Sequence, residues 1–207
     1  MRRLQEEWLE KYQGVPFSAA DLKTDLMDYS AVRMKLSRLV AQGVLLRLKK
    51  GFYCLAPDYS SKLIELGVIS NALYGPSYVS FDSALSLYGL IPERVYETMS
   101  AVNKRGATYQ TPFGTFGYYQ VPESVFGIGV RSEKTANGTY LMANPTKALC
   151  DTLFRKRLLR VTSPKTLREF LEVDMRFDFD YLGEPDRDVL QAYAACGRKT
   201  GIFNALR

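Results

Sequence analysis

Arg33, Lys35, Arg38, Arg47, Lys49 and Lys50 crowd the stretch from Tyr29 to Pro57, YSAVRMKLSRLVAQGVLLRLKKGFYCLAP, in which no Asp or Glu occurs. Guanidinium and ammonium groups at this density displace condensed counterions from a phosphate backbone, so the chemistry they suit is polyanion binding with strong salt dependence. Bond-making chemistry has fewer supports. Histidine is absent from the 207 residues, which removes His-based triads and most catalytic zinc arrangements. Cys54, Cys150 and Cys196 are widely spaced with no CxxC pair and are expected to be small core residues in a reducing compartment. Asp174, Asp178 and Asp180 lack the glycine and glutamate spacing of a calcium loop. Gly114, Gly117, Gly127 and Gly129 lack the strand–loop–helix setting of a phosphate loop, which leaves turns and strand bends. No catalytic residue, metal or cofactor is expected.

A second group of cations follows later. Lys147 and Asp151 stand at i and i+4, where a surface pair would contribute ~0.3–0.5 kcal/mol. Arg155, Lys156, Arg157 and Arg160 then crowd the end of the same segment. Cations at a helix C-terminus suit the macrodipole, but this many exceed that need. Lys147, Arg155, Lys156, Arg157 and Arg160 are therefore candidates for a second basic surface that meets an acidic partner. The competing reading is that they balance the acid-rich stretch from Glu172 to Asp188.

The elements that position the first group can be read from periodicity. Ser30 can cap a helix in which Val32, Leu36, Leu39 and Val40 share one side, and Gly43 ends it. The β-like runs Val44–Leu48 and Phe52–Ala56 are joined by Lys49-Lys50-Gly51, where glycine can take a positive φ. Upstream, Leu4, Trp8 and Tyr12 predict a first helix. Ser18-Ala19-Ala20-Asp21 opens a second in capping-box form, with Leu22 and Leu26 inward. Three helices and a hairpin predict a winged helix-turn-helix over residues 1–58. The outer side of its third helix offers Ser30, Arg33, Met34, Lys35, Ser37 and Arg38. Arg33 and Met34 are expected near base edges, and Lys35, Arg38, Lys49 and Lys50 near phosphate, with Arg47 pointing outward.

Residues 59–207 have a different texture. An amphipathic helix is expected within 59–76 and another over Ser80–Gly89. Strands are expected in YETMSAVN, GTFGYYQV, FGIGVRSE and GTYLMAN, separated by turns at Lys104-Arg105-Gly106, Thr111–Gly114, Val121-Pro122 and Asn137-Gly138. Phe113, Phe116, Tyr118, Tyr119 and Phe126 are assigned to the core rather than to base stacking. Asn144-Pro145 and Ser163-Pro164 each open a helix by capping chemistry. The expected class is α+β, with a mixed α/β second domain whose largely antiparallel sheet is flanked by helices. A net charge of +6 suits a nucleic-acid partner. No leader-like N-terminus and no apolar run of the ~18 residues needed for a membrane span occurs, so a soluble cytoplasmic protein is expected.

Several of these segments together resemble the AbiEi family of antitoxins, also described as transcriptional regulators. They are KLSRLVAQGVLLRLKKGFYCLAP, SFDSALSLYGLIPE at 80–93, TPFGTFGYYQVP at 111–122 and NPTKALCDTLF at 144–154. The resemblance covers residues 18 to 155 and weakens beyond. It implies a winged-helix domain that binds an inverted repeat in the promoter of its own operon, and a C-terminal domain with antitoxin function. The implied partner is a nucleotidyltransferase-type toxin, opposed without a stable complex in what is termed a type IV system. Arg33, Lys35, Arg38 and Lys49 to Tyr53 match the family's helix and wing, and no enzymatic activity is implied. The alternative is a free-standing regulator whose C-terminal domain senses a ligand or oligomerises.

Overall fold

The computed structural model describes residues 7–23, 29–156 and 163–206; Leu4 and Leu26, both expected to face inward, lie outside them. The fold is α+β. Its first part begins with a 3-10 run over Glu7–Tyr12 that buries Leu9. Strand β1 (Phe17–Ser18) follows. Ser18 and Asp21 then form the reciprocal capping bonds expected from their spacing, at 2.7 and 3.2 Å, over the short turn Asp21–Lys23. Helix α1 (Tyr29–Ala41) packs Val32, Leu36 and Leu39 against Leu9, Phe17, Leu22, Leu45 and Leu55.

Gly43 stops α1 by taking φ +70°. Its N–H donates to the Val40 carbonyl (3.0 Å), and the Val44 N–H reaches back to Leu39 (2.9 Å). These bonds satisfy carbonyls the helix would otherwise leave open. Strands β2 (Leu45–Lys49) and β3 (Phe52–Leu55) form an antiparallel hairpin, and β1 pairs with β3 on its other side.

The second part is a six-stranded sheet ordered β6-β7-β5-β4-β9-β8, comprising β4 (Tyr78–Val79), β5 (Glu97–Val102), β6 (Ala107–Thr111), β7 (Gly114–Gln120), β8 (Val130–Thr135) and β9 (Gly138–Ala143). The sheet is mixed rather than largely antiparallel. Neighbours β6–β7, β5–β4 and β9–β8 run antiparallel, but β7–β5 and β4–β9 are parallel. The parallel joints arise because β6 lies outside β7 and because β9 returns across the sheet to lie beside β4. Strand β6 lies between two turn signals and is not among the expected strands, although its burial alternates residue by residue. Residues Phe126 to Gly129 precede β8 as a turn instead of extending it.

Helices α2 (Leu66–Leu73), α3 (Phe81–Leu87), α4 (Pro145–Arg155), α5 (Pro164–Glu169), α6 (Arg187–Ala195) and α7 (Thr200–Ala205) complete this part. Asn144 caps α4 by accepting from the Lys147 N–H (2.8 Å), and Ser163 with Thr166 forms a capping box at α5. Acids of the 172–188 stretch have local duties. Asp178 caps the turn Phe179–Tyr181, Asp186 caps α6, and Glu172 pairs with Arg168 at 2.7 Å. Phe116 and Tyr118 are fully buried, as the core assignment requires. No described helix is long and apolar enough to cross a membrane.

The two parts meet through a shared apolar cluster. Leu48 and Cys54 of the hairpin bury against Ile69, Leu73, Val102, Phe116 and Tyr118, with Leu46 and Phe52 packed at the margin. The hairpin is therefore two-sided: Leu45 and Leu55 serve the first core, and Leu46, Leu48, Phe52 and Cys54 serve the joint. The first core draws its buried residues from before residue 58 and the largest core from beyond it, while this third cluster joins the two parts.

Candidate nucleic-acid interface

Among the described side chains of helix α1, Val32, Leu36 and Leu39 are buried. Arg33, Met34, Ser37 and Arg38 are exposed along it, and Lys35 is half-buried. Met34 is 70% exposed, a position from which it can touch another apolar surface such as a thymine methyl. Ser30 lies in the first turn of α1. Arg47 and Lys50 are exposed on the hairpin, with the Arg47 Nε donating to the Lys49 carbonyl (3.4 Å).

Lys49 departs from the expectation that it faces phosphate beside Lys50. Strict alternation along β2 would place it with Arg47 on the outer side. The pairing instead slips between Arg47, opposite Tyr53, and Lys49, opposite Phe52. One extra residue in a strand moves the next side chain to the other face. Lys49 is thereby turned to the joint, where its ammonium donates to the Leu73 carbonyl at the end of α2. It lies 4.5 Å from the Phe52 ring centroid and 5.3 Å from that of Tyr109. Burial, with the Lys104 ammonium nearby, holds its pKa below the ordinary lysine value. Lys49 is a fastening between the two parts. Its partners, the Leu73 carbonyl and Tyr109, had no signal in the sequence, because a bulge changes facing without changing composition.

The second candidate surface is corrected more sharply. Lys147 is completely buried. Its ammonium donates to the Val125 carbonyl (2.8 Å) and the Tyr193 hydroxyl (2.9 Å) and lies 3.4 Å from Asp151 Oδ1. Asp151, equally buried, accepts from the hydroxyls of Ser80 (2.6 Å), Tyr78 (3.1 Å) and Tyr193. Burial lowers the lysine pKa and the adjacent carboxylate opposes that shift. Burial followed by the Asp151 charge pushes the phenols of Tyr78 and Tyr193 well above the ordinary tyrosine value. The reason is position: α4 runs between β9, α3 and α6, and every residue from Thr146 to Leu153 is buried. An unbroken run of small, apolar and hydroxyl residues around the i,i+4 pair was the available sign.

The other members of that group part company. Arg155 is exposed, with its guanidinium 3.9 Å from the Tyr119 ring centroid. Lys156 is half-buried, 4.0 Å from Asp82. Arg157 and Arg160 lie outside the described residues. The C-terminal carbonyls of α4 are met by Lys199, which donates to Leu153 (2.6 Å), Phe154 (2.9 Å) and Lys156, so the helix end does not depend on the neighbouring arginines.

Cys54 and Cys150 are buried thiols and Cys196 is half-buried, none in a disulfide; burial pushes the Cys54 pKa up to about 12. Among the described residues no group of His, Cys, Asp and Glu is arranged to hold a metal ion. No protein-family profile matches the chain, and no curated protein matches it in sequence.

Proposed function

We propose that this protein is a sequence-specific double-stranded DNA-binding antitoxin whose first 58 residues act as a winged helix-turn-helix. It represses its own operon and opposes a nucleotidyltransferase-type toxin without a stable complex, by binding rather than catalysis, in the cytoplasm. The observation that carries DNA binding is the exposed stripe Arg33, Met34, Ser37 and Arg38, set opposite the buried Val32, Leu36 and Leu39, with Arg47 and Lys50 exposed on the hairpin that follows. A helix so divided can enter a major groove while flanking cations meet phosphate. The antitoxin reading has its support in the order of the segments that resemble AbiEi proteins, and Arg155 and Lys156 remain its candidate surface.

The test is gel retardation with DNA from immediately upstream of the protein's own reading frame against a scrambled duplex. Arg33→Ala should weaken binding to the upstream duplex by ~1–3 kcal/mol, as expected for loss of one base contact, and reduce the preference over the scrambled one. Equal affinity of wild type and variant for both duplexes would sink the reading. Rescue of growth from the product of a neighbouring toxin gene tests the antitoxin part. A free-standing, ligand-sensing regulator draws support from a cleft of about 280 Å³ between α2, α3 and the sheet, lined by Leu66, Val79, Arg94, Glu97 and Tyr140 among others. Absence of a toxin gene beside the reading frame would favour it.

A further inference from the structure

The sequence contains a second acid-free stretch, Thr98 to Pro122, whose cations are Lys104 and Arg105. It forms β5, β6 and β7, and the structure sets β6 directly alongside β2 of the hairpin. The turn bearing Lys104 and Arg105 is fixed close to Lys49 by a continuous chain of contacts. The Lys49 ammonium lies over the Tyr109 ring, Tyr109 and Tyr74 stand 6.0 Å apart, and the Lys104 ammonium is 4.0 Å from the Tyr74 ring centroid. Lys49 and Lys104 also share the end of α2, donating to the carbonyls of Leu73 and Gly75 respectively, the latter at 2.5 Å. The Tyr74 hydroxyl donates to the Arg105 carbonyl (2.9 Å), which locks the backbone of that turn. The Arg105 side chain is exposed, and its guanidinium makes no ion pair or side-chain hydrogen bond among the described residues. On the far side of the turn Asn103 is held by Glu123 at 2.9 Å.

We propose that the DNA footprint continues from the hairpin onto the β5–β6 turn, where Arg105, with the Lys104 charge beside it, contacts backbone phosphate. The inference rests on the DNA-binding reading above and extends it to a part of the chain outside the helix and hairpin. Its physical basis is placement. The bulge turns Lys49 to the joint, where it is half-buried, and the cations joined to it through Tyr109 and Tyr74 belong to the second part. A rigid hairpin fastened to that part cannot approach a duplex without bringing the turn with it. Phosphate contacts of this kind position the protein without reading bases.

The experiment measures the affinity of the full-length chain for the upstream duplex and for a scrambled duplex over a series of salt concentrations, by fluorescence anisotropy. Arg105→Ala should make the slope of log K against log salt shallower by about 0.9 on both duplexes, the value for one lost phosphate contact. Arg105→Lys should retain most of the wild-type slope, and Arg33→Ala should reduce the preference for the upstream duplex. An unchanged slope in Arg105→Ala, with Arg33→Ala still impaired, would overturn this inference and leave the helix–hairpin reading in place. If neither variant differs from wild type, both fail.

Discussion

Helix α1 leaves Arg33 and Arg38 in solvent because only one of its sides is packed, whereas α4 runs between β9, α3 and α6 and takes Lys147 and Asp151 with it into the core. Both helices carry cations, although only α4 also carries an acid at i,i+4. What separates them is how much of the circumference is covered. A charge on a half-covered helix keeps much of its hydration. A charge on a fully covered helix must find every hydrogen bond within the protein, and Lys147 and Asp151 do so with Tyr78, Ser80, Tyr193 and the Val125 carbonyl. Basic density therefore reaches solvent only where one side of the element is open.

The largest effect should come from splitting the buried pair. Asp151→Leu leaves the Lys147 ammonium without its counter-charge and should cost about 3–5 kcal/mol in urea unfolding, while Lys147→Met with Asp151→Leu should recover most of that loss. Arg33→Gln, measured alongside, should stay within about 0.5 kcal/mol of wild type, as a solvated surface change does. A loss below about 1 kcal/mol in Asp151→Leu would mean that water reaches Lys147, and the contrast between the helices would collapse.

A comparable or slightly smaller effect is expected at the joint. Leu48→Ala removes a side chain buried among Ile69, Leu73, Val102, Phe116 and Tyr118 and should cost about 2–5 kcal/mol. If the two parts instead unfolded independently, calorimetry would show two transitions, with only the first displaced by the substitution. A single cooperative transition, lowered as a whole, is the expected result.

The smallest effect sharpens the account of the buried pair through pH. Tyr78 and Tyr193 hold their protons well above the ordinary value in the folded chain. The unfolded chain releases those protons near pH 10. Above that point the folded state binds more protons than the unfolded one, so their contribution to stability, complete below pH 10, is lost as pH rises toward the folded values. Spectrophotometric titration should show a late phase from Tyr78 and Tyr193 that coincides with unfolding. A single phase in the still-folded protein would place both phenols in contact with water.

Much of the fold was legible because it rests on local rules. Gly43 and Gly51 supplied the positive φ that ends α1 and turns the hairpin, and Asn144-Pro145 and Ser163-Pro164 opened α4 and α5 through capping bonds that span three residues. The buried stripe Val32, Leu36 and Leu39 followed from helical periodicity, and with it the exposure of Arg33, Met34, Ser37 and Arg38. These are short-range constraints, fixed by the backbone geometry available to a few adjacent residues.

Long-range placement had no such local trace. Strand β6, the parallel joints β7–β5 and β4–β9, and the packing of the hairpin on the second part depend on which distant segments meet. Lys49 shows the limit most clearly: a single bulged residue turned it from the outer side to the joint while leaving the sequence pattern unchanged. Lys147 shows the same thing at the scale of a helix, since i,i+4 spacing specifies that two side chains are neighbours but not whether a third element covers them. The sequence alone determined where helices begin, where they end and which side of α1 carries charge, because those follow from bonds within a few residues. Which charges reach solvent was decided only by tertiary packing, because desolvation depends on everything that surrounds a group and not on its neighbours along the chain.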